Sequence, residues 1–201
     1  MNDLTTEKAQ HLIDGGEIDD VLDELGQRIL NGAIVELDDA TDHLAEQLLN
    51  SRVDCRDARG SVVHVSEALA RHVWGNCERT ARPWADQETD ADRLLTAFAA
   101  LRESGIVSGL FTNWKAMDIP PECRGAVLVR RDDWQDLSFL RKRRLTINFA
   151  GVAEDESDIG LELTGALREA GLAASAPNHG KVTVRLLWKW HVPELVNAWV
   201  R

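Results

Sequence analysis

The chain has no Tyr, only four Phe and five Pro, and three Cys among 201 residues. Cys55, Cys77 and Cys123 are too few, too scattered and odd in number for a disulfide framework, so they read as reduced thiols. No apolar run approaches the roughly 18–20 residues of a membrane-spanning helix, and charges recur throughout, which argues against a membrane partner. Positive charge is also scarce, because 23 basic residues stand against 34 acidic ones for a net charge of −11. Such a balance argues against general affinity for nucleic acid or anionic lipid, both of which attract Lys and Arg. The start Met1-Asn2-Asp3-Leu4 lacks the basic and apolar stretches of a secretory signal, so the expected location is cytoplasmic. What is present, 44% apolar and 28% charged side chains, suits a soluble globular chain with one good core or two small ones.

The acidity is concentrated at one end. Residues 1–60 hold 15 acids and five bases, whereas residues 89–201 balance at 15 of each. In the acidic part, Ile18, Val21, Leu22, Leu25, Ile29 and Leu30 recur at helical spacing with Asp19, Asp20, Asp23 and Glu24 between them. A second helix is expected over about 39–51 through Leu44, Leu48 and Leu49, and a third over about 64–78 through Val65, Leu69, Val73 and Trp74. The chain therefore divides into an acidic helical segment (1–79), a linker (80–88) containing Pro83 and Trp84, and a further domain (89–201), with packing of both parts as one unit left open.

In the remainder, Thr89-Asp90-Ala91-Asp92 has the pattern of a capping box, in which the Thr side chain and the third helical residue cover each other's backbone amides. Leu94, Leu95, Phe98 and Leu101 continue it as an apolar stripe that Gly105 ends. Ile106–Phe111 and the continuous apolar run Ala126–Val129 read as strands, and Leu145, Ile147 and Phe149 alternate with polar residues as in a strand with one wet face. Ile159, Leu163, Ala166 and Leu167 make another helix. Val182, Val184, Leu186, Trp188 and Trp190 share one face of the clearest strand, and Pro193 suits the first turn of a terminal helix. The order α-β-β-β-α-β-α implies an α+β fold: an acidic helical segment followed by a mainly antiparallel sheet with helices packed on one face.

Trp84, Thr89-Asp90-Ala91-Asp92-Arg93-Leu94, Ala97-Phe98-Ala99-Ala100-Leu101 and Gly105-Ile106 together resemble the signature W..TD.DRL..AF.AL...GI of an uncharacterised bacterial domain-of-unknown-function family. The later blocks Gly125–Asp133, Leu145–Gly151 and Trp188 are similar in order, and the likeness covers about residues 16–190. The resemblance implies a fold and supplies no activity, cofactor or catalytic residue. It also implies a His and Gln ahead of an Asp after the second strand, where this chain has Arg130, Asp132 and Asp133.

Candidate sites are few. Asp90, Asp92 and Arg93 could bind an ion at a helix start, with Asp132 and Asp133 as further polar lining of an enzyme site, although capping explains the first group more simply. Cys55, His64, His72 and Cys77 carry ligand atoms, but eight, seven and four intervening residues match no tight zinc-binding unit, so no metal and no cofactor is expected. No GxSxG, GxGxxG or phosphate-binding loop occurs. Arg141, Lys142, Arg143 and Arg144 form the only basic run, read as a charged turn at a strand entrance, and Trp114 and Trp134 lie beside expected loops. These six are the candidate contacts for a protein partner. The favoured expectation is a non-enzymatic interaction or regulatory protein that binds no nucleic acid; the alternatives are an enzyme whose polar site the fold assembles, and an acidic mimic of nucleic acid.

Overall fold

The computed structural model describes residues 3–51, 53–56, 61–112, 114–115, 117, 119–130, 133, 142–151 and 156–191. Its elements run α1 (Asp3–Gly15), α2 (Asp19–Leu30), α3 (Leu37–Asn50), α4 (Val63–Ala81), α5 (Asp90–Glu103), β1 (Ile106–Thr112), β2 (Gly125–Arg130), β3 (Lys142–Gly151), α6 (Glu156–Glu169) and β4 (Lys181–Leu187). The fold is α+β. Backbone contacts divide it into two compact units, Met1–Ala85 together with His191, and Asp86–Trp190. Thr80 and Ala81, expected at the head of a linker, continue α4, and Arg82–Trp84 follows as a 3-10 turn with Trp84 buried. The expected terminal helix with Trp199 lies outside the described residues.

In the first unit α4 packs against α1, α2 and α3. The helical stripes face each other: Leu25 and Ile29 of α2, Ala40, Leu44 and Leu48 of α3, and Val65, Leu69, Val73 and Trp74 of α4 are all buried. Burying each Leu contributes about 1.5–3 kcal/mol, so these stripes rather than local propensity hold the unit. At the α2–α4 crossing the Cys77 thiol donates to the Gly26 carbonyl oxygen at 3.6 Å. Helix α1 is an element that sequence patterning missed. It buries Thr5, Ala9 and Leu12, a stripe at helical spacing in which only Leu12 is strongly apolar.

The second unit is built on a four-stranded sheet in the order β1-β2-β3-β4. Strands β1 and β2 pair in parallel, whereas β2–β3 and β3–β4 pair antiparallel. Register puts Val127, Phe149, Ile147, Leu145, Val182, Val184 and Leu186 on one face, all buried. Helices α5 and α6 pack on each other and against that face. The contact is close: a Cβ on Gly125 would meet Ile159 Cγ1 of α6 at 2.8 Å and the Ala150 carbonyl oxygen at 2.6 Å. Ser108 joins β1 to α5 by donating to the Phe98 carbonyl oxygen at 3.0 Å. Beyond β4, Trp188 and Trp190 are buried and stack with ring centroids 5.9 Å apart.

Candidate functional site

The start of α5 is built by the capping box. Asp92 N–H donates to Thr89 Oγ1 at 3.3 Å, and Thr89 N–H donates to Asp92 Oδ2 at 2.6 Å. Two orphan amides of the helix end are thereby satisfied, and Asp90 and Asp92 place negative charge at its positive pole. Asp90 also reaches out of the helix. Its Oδ2 accepts from Leu187 N–H at 2.7 Å, and its Oδ1 lies 3.4 Å from Arg93 Nη1, while Arg93 Nε pairs with Glu88 at 3.1 Å.

That contact from Asp90 adds to the guarding of a sheet edge. β4 is an outer strand whose free backbone groups would otherwise invite pairing with another chain. Thr183 N–H donates to Ser175 Oγ, the Thr183 carbonyl oxygen accepts from Ser175 N–H, and Lys181 exchanges both backbone bonds with Asn178. Asp90 serves the last position, Leu187. The polar group at residues 90–93 is therefore occupied with capping a helix and closing a strand edge.

Asp133 is held elsewhere, accepting from the side-chain amide of the buried Asn148 at 3.4 Å on the sheet face opposite α5 and α6. Asp132, Trp134 and Arg141 lie outside the described residues. The structure thus places Asp90, Asp92 and Arg93 together at one helix start and Asp133 beside β3. Trp114 sits in the turn after β1 and is partly exposed.

Two of the three thiols point inward, and Cys123 is half-buried. Cys55 and Cys77 are buried, and burial raises both above the ordinary thiol value, Cys77 to about 11. They stay protonated at neutral pH, the form that neither ligates metal nor attacks electrophiles. Among the described residues no group of three or more His, Cys, Asp or Glu is placed to hold a metal ion, and no helix is long and apolar enough to cross a membrane.

The basic run requires a correction. Lys142, Arg143 and Arg144 do not form a turn before a strand; they are the first residues of β3, opposite Leu187, Leu186 and Arg185 of β4. A run of adjacent like charges is not a strand signal, and cross-strand pairing overrides that here. Within a strand, alternate side chains go to opposite faces, so the run is split rather than presented as one patch. Arg144 falls on the face opposite α5 and α6 and stands directly across from Arg185. Lys181 is on the same face two pleats along β4, and the facing pair Thr146 and Thr183 lies between. Arg144, Arg185 and Lys181 are exposed, and none has an ion pair among the described residues. Sequence spacing identified Arg144 but missed Arg185, which looked like an ordinary wet-face residue of β4 until register placed it opposite another guanidinium.

The chain matches the family described as a domain of unknown function (DUF6891) over residues 17–192. No curated protein and no solved structure matches it.

Proposed function

Because the chain belongs to the DUF6891 domain family, whose description names no activity, we propose from its geometry a non-enzymatic protein-interaction or regulatory module, working in the cytoplasm, that binds through the basic ladder of β3 and β4. The observation that carries this reading is the Arg144–Arg185 pair. Like charges directly opposite on adjacent strands destabilise a sheet by roughly 0.2–1 kcal/mol. A carboxylate set between the two guanidinia removes that repulsion and gains charge-assisted hydrogen bonds from both. The free thiols suit a reducing compartment. Against an enzyme stands the use of Asp90, Asp92 and Arg93 in holding the fold. Trp114, exposed beside the sheet's first strand, is a further candidate contact.

Affinity capture with the full-length chain and with an Arg144→Glu/Arg185→Glu variant tests the reading. The expected result is a stoichiometric protein partner held by the wild type, released by salt and absent from the variant. Equal recovery by both, or turnover of a substrate with no partner recovered, overturns it.

A further inference from the structure

We propose that the basic ladder of β3 and β4 docks the acidic face of α3 from a second copy of the chain, so that the protein associates with itself; this rests on the interaction reading above and names the partner. Helix α3 carries Asp38, Asp39, Asp42 and Glu46 and contains no Lys or Arg. All four acids are exposed, and none has an ion pair among the described residues. Glu24 and Glu67 of the same unit do pair, with Arg28 and Arg71 one helical turn away, whereas the exposed Asp19, Asp20 and Asp23 of α2 have no ion pair among the described residues but share their helix with Arg28, a cation that α3 lacks. The one titratable base on α3, His43, is half-buried and held below its ordinary range by burial and then by the nearby Arg28. It therefore adds no full positive charge to α3, and the four carboxylates have no cationic side chain on their own helix.

The two surfaces match in length as well as in sign. Asp38, Asp42 and Glu46 follow one helix face, and eight residues at 1.5 Å each span about 12 Å. Lys181 and Arg185 lie four residues apart on one strand face, which spans about 13 Å, with Arg144 beside Arg185. A helix lying along β4 therefore brings a carboxylate to the cation at each end of the row, and the Thr146–Thr183 hydroxyls occupy the middle. Two other modes of binding fit less well. Along the β4 edge Lys181, Thr183 and the Leu187 N–H already have partners, which leaves little of it open to strand addition. This face of β3 and β4 holds no aromatic side chain, so it offers no stacking platform for single-stranded nucleic acid. Each copy presents both surfaces, so the contact either closes reciprocally or continues head to tail.

Light scattering on the full-length chain after size-exclusion chromatography, at about 0.05 M and about 1 M salt, tests the proposal. The wild type is expected to be a dimer or larger at low salt and a monomer at high salt. Arg144→Glu/Arg185→Glu and, separately, Asp42→Lys/Glu46→Lys each weaken association roughly tenfold or more while retaining the wild-type circular dichroism. Mixing the two charge-reversed variants restores association, because each then supplies the charge the other needs. A wild type that is monomeric at low salt overturns the proposal, and so does a mixture that fails to associate. A monomer that still captures a protein partner through Arg144 and Arg185 refutes self-association and leaves the interaction reading standing.

Discussion

The two units solve the same problem at their helix ends in different ways. In the second, Thr89 and Asp92 cap α5 with a reciprocal pair of hydrogen bonds. In the first, α2, α3 and α4 begin at Ile18, Glu36 and Val62, and none of these side chains caps its helix. Acids in the first turn partly stand in: Asp19 and Asp20 on α2, and Asp38 and Asp39 on α3. Each contributes about 0.3–1 kcal/mol with the helix dipole. The acidity of the first unit is therefore of two kinds. Part of it lies at helix starts, where it also serves the dipole, and part, such as Asp42 and Glu46, lies beyond the first turn; on α3 both kinds are exposed. Glycines show the same division. Gly26 meets α4 at ordinary van der Waals distance, whereas Gly125 is wedged between the β3 backbone and α6.

The sharpest test of this contrast uses those glycines. Gly125→Ala would set a Cβ 2.6 Å from a backbone oxygen, and a loss of about 3 kcal/mol is expected in urea unfolding. Gly26→Ala would bring a Cβ to 3.6 Å from Val73 Cγ1 and removes a flexible residue from mid-helix, so a gain of up to about 1 kcal/mol is expected. Equal losses at the two positions would break the comparison.

The acids provide a smaller contrast. Asp90→Ala, which strips a charged acceptor from Leu187 N–H, is expected to cost about 2 kcal/mol and to speed amide exchange at Leu187. Asp39→Ala on α3 loses a dipole contact alone, about 0.5 kcal/mol, with no amide newly exposed. If the two cost the same, Asp90 is not guarding the strand edge.

The pH terms, which change stability only away from neutral pH, have opposite signs in the two units. The Cys77 thiol is raised by burial from 9.0 to about 11, so the unfolded chain ionises first and stability falls as pH rises through that window. Cys77→Ala should flatten this part of the stability profile. Glu162 is lowered, chiefly by its hydrogen bonds from Arg124. Its contribution is present above the ordinary carboxylate value and is lost as pH falls through the lowered one. Arg124→Ala should remove that acid-side contribution, at under about 1 kcal/mol for an exposed pair.

Reading from sequence worked where the signal was local and strong. The capping box, the stripes of α2 to α6 and the alternation of β4 each sit within a few residues, and burial selected most of the side chains that periodicity did, although Leu49, expected on the inward stripe of α3, is exposed and Val21 and Leu22 of α2 are only half-buried. It failed on α1, whose inward face relies on Thr5 and Ala9, and on Lys142 to Arg144, whose composition suggests a turn. For the candidate site, the sequence pointed to Asp90, Asp92 and Arg93 as a group but could not show that Asp90 reaches Leu187, 97 positions away.

By itself, then, the sequence determined the α+β class, the acidic bias of its first 60 residues and the inward face of most elements, because each follows from side-chain spacing within one helix or strand. Only the tertiary structure decided which polar residues are consumed by the fold and which remain exposed. Those outcomes depend on strand register and on which helix start meets which strand end. The alignment of β3 with β4 sets Arg144 against Arg185, and the packing of α5 beside β4 turns Asp90 from a candidate ligand into the guard of an edge.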